Sequence, residues 1–289
     1  MTSVLVGQPF DIVKIRMQAQ SSINPTYRTP LHCIRAIFEN EGWKAFYKGT
    51  TAPFLAAGIC TSVRFCVNDF TKKIMRRINA QRGVENPYVV TSPQLAIWGA
   101  FAGIANSCFT TPIEHARILV QAQSSLTEPR LRFKGSFHAL SRVYKDYGFR
   151  DVYRGFMITM WRDIAFSMTF FGIYDIMKNK TCDLTKRPNL PWLMILGSIW
   201  GVLSWIPAYS FDVVKTKIQL EPFRAPFYHS SLDCYKKTYA KDGIKGFTMG
   251  LGPCLARTFL TSATVVGVYE VILRRLETTG ISYKAAVAI

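Results

Sequence analysis

Three short stretches of the chain carry an acid, a base and a glutamine at one spacing: PFDIVKIRMQ at 9–18, PIEHARILVQ at 112–121 and SFDVVKTKIQ at 210–219. The triplets are Asp11, Lys14 and Gln18; Glu114, Arg117 and Gln121; Asp212, Lys215 and Gln219. An acid and a base three residues apart share one side of a helix. In apolar surroundings an isolated charge is costly, so three such sets at one depth should turn inward and pair with each other. With threefold symmetry each acid reaches the base of the next copy: Asp11 with Arg117, Glu114 with Lys215, and Asp212 with Lys14. Pro9 and Pro112, at the head of two copies, bend their helices towards the axis. Such a ring closes one end of a central cavity.

Two more elements recur in step. The first is EGWKAFYKG (41–49), YGFRDVYRG (147–155) and DGIKGFTMG (242–250); the second is NDFTK (68–72), YDIMK (174–178) and YEVIL (269–273). A period of about one hundred residues divides the chain into three tandem repeats, at 1–83, 93–182 and 191–280. The last element supplies a second ring at the opposite end, with Asp69 facing Lys178 and Glu270 facing Lys72. Asp175 would need a base where the chain has Leu273, and the adjacent Arg274 points about 100° away.

Positioning these residues takes long helices. Apolar windows at 51–72, 93–121, 156–178, 191–219 and 251–273 each exceed the ~20 residues that cross a bilayer, so five spanning helices are expected. The sixth is short, because only eight residues precede Pro9. Helix 1 therefore reads as truncated at its start, through a shortened isoform, a misassigned initiator or a real departure. Two crossings per repeat give all three copies the same orientation, related by a pseudo-threefold axis along the membrane normal. The glycine pairs Gly99/Gly103 and Gly197/Gly201 provide faces for close helix packing. The fold class is an all-α membrane protein, a six-helix pseudo-threefold bundle.

Composition narrows the function. The chain has 289 residues, is 49% hydrophobic and carries a formal charge of +18. Its positive charge lies between apolar windows and not in basic tracts, which points to anionic lipid or anionic solutes and away from nucleic acid. The seven cysteines form no CxxC pair, and Cys60, Cys66, Cys108 and Cys254 fall in apolar segments, so they read as buried thiols without zinc or disulfide roles. His32, His115, His138 and His229 are scattered without a metal-binding spacing. No nucleophile, base and orienter set is present, so an enzyme is not expected, and no signal peptide is visible.

With P-x-[DE]-x-x-[KR], the trailing glutamine, the [DE]-G-x-x-x-x-aromatic-[KR]-G element and [FY]-[DE]-x-x-[KR] all in three copies, the chain resembles the mitochondrial carrier family. The resemblance implies short matrix helices and residence in the mitochondrial inner membrane as a multi-pass monomer. It makes Asp11, Lys14, Glu114, Arg117, Asp212 and Lys215 a matrix gate, braced by Gln18, Gln121 and Gln219. It makes Asp69, Lys72, Asp175, Lys178 and Glu270 a cytoplasmic gate, and places cardiolipin near Gly49, Gly155 and Gly250. Departures from the pattern are Ser210 for proline, Tyr147 for the acid, Met249 for the base, Asn68 for the aromatic, and Leu273.

Charges between the gates select the solute. Arg162 and Arg257 lie thirteen residues before Asp175 and Glu270, and the same count back from Asp69 gives Ala56, followed by Ala57. The resemblance makes these positions substrate contacts, together with Asp163 and, deeper, Arg64. A guanidinium binds a carboxylate bidentately and an aspartate binds an ammonium, so the expected solute is an amino acid or a carnitine-like zwitterion, moved by alternating access. The alternatives are a degenerate, non-transporting relative and a carrier for a different anionic metabolite.

Overall fold

The computed structural model describes residues 2–20, 26–81, 92–123, 133–181, 190–223 and 226–278; along parts of the long helices it describes the backbone alone. Each repeat begins with a long helix: α1 (Thr2–Gln18), α4 (Ser92–Ala122) and α8 (Leu190–Leu220). A short helix follows each: α2 (Pro30–Glu41), α5 (Ser136–Tyr147) and α9 (Ser231–Asp242). Next comes a single turn, the 3₁₀ segment Trp43–Tyr47, α6 (Phe149–Val152) or α10 (Lys245–Thr248), and then a second long helix, α3 (Thr51–Gln81), α7 (Phe156–Thr181) or α11 (Leu251–Thr278). The described residues contain no strand. α1 spans 17 residues against 31 in α4 and α8.

The long helices pack side by side. α11 lies between α1 and α8, α7 between α8 and α4, and α3 against α4. Glycines set the closest approaches: a Cβ on Gly103 would come 3.3 Å from the backbone of Asp163 in α7, and one on Gly201 would come 3.1 Å from Thr258 in α11. Their GxxxG partners, Gly99 and Gly197, lie among residues whose side chains are outside the description. Pro9 and Pro112 sit inside α1 and α4, whereas α8 carries its proline one turn earlier, at Pro207. At Ser210, the position lacking proline, the hydroxyl accepts a hydrogen bond from Tyr235 at 3.2 Å.

Among the described residues, no helix is long and apolar enough to cross a membrane. The physical reason is visible at the centre of the bundle, where the inward face of each repeat carries acids, bases and amides in place of apolar side chains. A hydropathy average taken around the whole helix mixes that face with the outer one.

The short helices pack by equivalent small residues. Cys33, Ala139 and Cys234 occupy the same position of α2, α5 and α9, and all three are fully buried. Burial pushes both thiols up to about 11, so neither is a nucleophile at neutral pH. Cys254 is also buried, but Cys60 is half-buried and Cys66 and Cys108 are exposed, a correction to the reading of these three as buried thiols. Cys182 lies outside the described residues.

The repeats interlock through glycine and glutamine. Gly49, Gly155 and Gly250 have φ of +76°, +80° and +79°. A Cβ there would come 3.3 Å from Gln121, 3.2 Å from Gln219 and 3.5 Å from Gln18, respectively. Each glycine therefore sits against the motif glutamine of the next repeat, and the third returns to the first. Loop geometry is also shared: Gln20, Gln123 and Glu221 accept backbone N–H groups of Tyr27, Phe133 and Tyr228 at 2.8, 3.2 and 3.0 Å.

At Gly250 a Cβ would also meet the Tyr209 hydroxyl at 2.9 Å. Gly250→Ala should destabilise the protein by about 1–3 kcal/mol through the left-handed backbone and this contact. Gly252→Ala, on open helical surface, should be neutral or stabilising by a few tenths of a kcal/mol. Thermal unfolding in detergent checks both.

Candidate functional site

The motif charges of the three repeats meet at the centre. Lys14 Nζ lies 2.7 Å from Asp212, Arg117 pairs with Asp11 and Lys215 with Glu114. The sense is cyclic, each acid taking the base of the following repeat. Lys215 and Asp212 are 1% and 5% exposed, so these charges owe their ionised state to one another; removing one partner from such a pair typically costs ~3–5 kcal/mol. The Lys14 ammonium also lies 4.6 Å from the Trp205 ring centre, where the ring face adds a cation–π attraction.

The two arginines expected above the ring are joined to it. Arg162, in α7, donates to Asp163 at 2.7 Å and to Glu114 at 3.0 Å, with Asp212 at 3.5 Å. Arg257, in α11, lies 2.8 Å from Asp11. Asp163 also accepts from the Ser107 hydroxyl at 3.2 Å. These residues are thus no separate layer of free charges, because the ring carboxylates have spare acceptor positions within guanidinium reach. Phe166 and Trp205, with ring centres 5.4 Å apart, form an aromatic wall beside them. The cavity they line has a volume of about 260 Å³. The side chains of Arg64, Ala56 and Ala57 lie outside the described residues, as do those of Asp69, Lys72, Asp175, Lys178 and Glu270.

The glutamines behave differently from one another. Gln18 donates to Asp212 at 2.9 Å and accepts from the Thr216 hydroxyl at 2.9 Å. Gln219 donates instead to the Arg154 carbonyl at 3.0 Å, and the buried amide of Gln121 makes no hydrogen bond. The expected threefold bracing of the ring is therefore limited here to Gln18. At Asp11 and Glu114 the second partner is a cation, Arg257 or Arg162.

An outer set of contacts escaped sequence reasoning. Arg16 donates to Glu41 at 2.6 Å and to the Gln123 carbonyl at 2.7 Å, tying the ends of α1, α2 and α4. Lys217 and Asp242 form the same pair in the third repeat at 3.4 Å. The second repeat has Leu119 and Tyr147 at these two positions, so acid and base are lost together. Tyr147 there stacks on Phe223 at 4.3 Å, and Arg154 reaches Glu221 of the third repeat at 3.2 Å. The signal in the sequence was the base two residues before the motif glutamine, present where the glycine element keeps its acid.

No group of acids, histidines and cysteines among the described residues could hold a metal ion.

Burial acts to raise the Glu41 carboxyl, but hydrogen bonds from Arg16 and Lys48 outweigh it and hold the group below its usual value of 4.5. The stability it contributes is present above pH 4.5 and lost as the pH falls through the lowered folded value. Glu41→Gln should destabilise by about 2–3 kcal/mol at pH 7, and the gap from the parent should close below pH 4.5. Chemical denaturation across pH reads this out. In the ring, Lys14→Ala and Asp212→Ala should be non-additive by about 1–3 kcal/mol in a double-mutant cycle.

A family model described as mitochondrial carrier protein matches residues 1–79, 89–183 and 187–280. A glutamate/glycine mitochondrial carrier of Schizosaccharomyces pombe is 36% identical over 279 residues, covering 94% of this chain and 90% of that protein. A mitochondrial glycine transporter of Saccharomyces cerevisiae is 32% identical over 94% of this chain and 87% of its own length. A human mitochondrial basic amino acids transporter is 32% identical over 93% and 85%. With three matched repeats, the chain belongs to the mitochondrial carrier family, multi-pass solute transporters of the mitochondrial inner membrane.

Proposed function

We propose that this chain carries an amino acid across the inner membrane by alternating access, with Arg162 taking the carboxylate and Asp163 the ammonium. The observation that carries this is the adjacent guanidinium and carboxylate in one cavity, held 2.7 Å apart and opening onto the ring. An α-amino acid presents the complementary pair of charges at similar separation. The names of the relatives, which concern glycine, glutamate and basic amino acids, support the same class over a carnitine ester.

In this reading the ring of Asp11, Lys14, Glu114, Arg117, Asp212 and Lys215 is the matrix gate, and its three ion pairs support a closed state of that gate. Asp69, Lys72, Asp175, Lys178 and Glu270 form its cytoplasmic counterpart, weakened by Leu273. Arg257 and Arg64 add positive charge to the path, and Ala56 and Ala57 leave room for the solute. Six long helices would cross the bilayer as a monomer, their charged faces turned inward. The positive-φ glycines 49, 155 and 250, each preceding the start of a long helix, offer cardiolipin phosphates a set of helix N-termini.

The ring is complete among the described residues, which favours a working transporter over a degenerate one. Protein reconstituted in liposomes loaded with an amino acid should take up labelled amino acids. Arg162→Ala should lower that uptake by about tenfold to a hundredfold, as expected for a lost charged hydrogen bond. Exchange of nucleotides or phosphate with no amino acid uptake would sink the reading.

A further inference from the structure

The charges of the cavity do not balance, and the imbalance has a location. Around Arg162 the account closes: Glu114, Asp163 and Asp212 face Arg162, Lys14 and Lys215. On the α1 side it does not, because Arg117 and Arg257 share one carboxylate, Asp11. The remaining polar contact of Arg117 is the neutral Gln8 amide oxygen, at 3.2 Å. Among the described lining residues the cavity thus carries one uncompensated positive charge, beside Asp11. Arg257 and Arg117 are partly withdrawn from solvent, with 28% and 16% of their side chains exposed; a carboxylate entering the cavity is drawn to the side that holds the excess, and the shortage there is one carboxylate.

Resting on the amino-acid reading above, we infer that the preferred solute is an acidic amino acid, with net charge −1. Its α-carboxylate and ammonium match Arg162 and Asp163, and its side-chain carboxylate completes the pairing of Arg257 and Arg117 with Asp11. The ring carboxylates now on the two arginines occupy the positions that a dicarboxylate would take. A lysine or arginine substrate would instead bring a second cation to a site already in positive excess. A neutral amino acid would leave the excess unmet.

The test is competitive uptake into liposomes that hold the full chain and are loaded with glutamate, glycine or arginine. Labelled glutamate or aspartate should enter at least about tenfold faster than arginine or lysine, a difference of roughly one unmet charge contact. Arg257→Gln and Gln8→Glu remove the excess by opposite routes, the first by deleting a cation and the second by adding an acid beside Arg117. Each should lower the ratio of glutamate to glycine uptake by at least about tenfold, while Arg257→Lys preserves the ratio. Because both solutes are measured in the same vesicles, loss of folded protein cancels from the ratio. A preference for neutral or basic amino acids, or a ratio that neither variant moves, overturns the charge assignment and leaves the amino-acid reading standing. Uptake of no amino acid at all overturns that reading itself.

Discussion

Desolvation of charge is the constraint on which this structure depends. Asp11 and Asp212 of the central ring are buried and Glu114 is half-buried, and withdrawing such carboxylates from water carries a cost that their cations must offset. The chain answers with shared contacts. Glu114 holds Lys215 and Arg162, Asp11 holds Arg117 and Arg257, and Asp212 holds Lys14 with Gln18 beside it. Because every one of these ion pairs except Glu114 with Arg162 joins residues from different repeats, meeting the cost locally also fixes how the repeats stand to one another.

The outer contacts extend the same logic to the short helices. The glycine-on-glutamine contacts lock each linking turn of one repeat to the motif helix of the next. Arg16 with Glu41 and Lys217 with Asp242 tie each motif helix to the short helix of its own repeat. The second repeat dispenses with this pair, and its place is taken by apolar stacking of Tyr147 on Phe223 and by Arg154 reaching across to Glu221. A lone acid at 147 without a base at 119 would be an unpaired charge near the bundle end, so the two substitutions make sense only together.

The repeat, the helical class and the cyclic pairing of Asp11, Glu114 and Asp212 were legible because they rest on spacing, which a sequence displays directly. The reach of Arg162 and Arg257 was not legible. Counting along α7 and α11 places both arginines on the inward face, but whether a guanidinium stands free or meets Glu114 depends on its long, flexible stem and on the tilt of two helices. The difference between Gln18, Gln121 and Gln219 was hidden for a related cause: identical residues at identical spacing met different competitors at each carboxylate.

The sharing of cations has a mechanical consequence. Arg162 donates to Glu114 and Asp163 at once, so a solute carboxylate that takes this guanidinium takes it in part from the ring. Glu114 then depends on Lys215 alone, and the ring loses strength at the junction of the second and third repeats. The same exchange at Arg257 loosens Asp11 at the junction of the first and second. A ligand shifts a conformational equilibrium only by its differential affinity for the two states, and on the proposed assignment the differential is built in, since the paired ring and the solute would compete for the same two side chains. On that assignment a separate relay from binding site to gate is unnecessary, because the arginines proposed to bind the solute are the same side chains that pair with the ring.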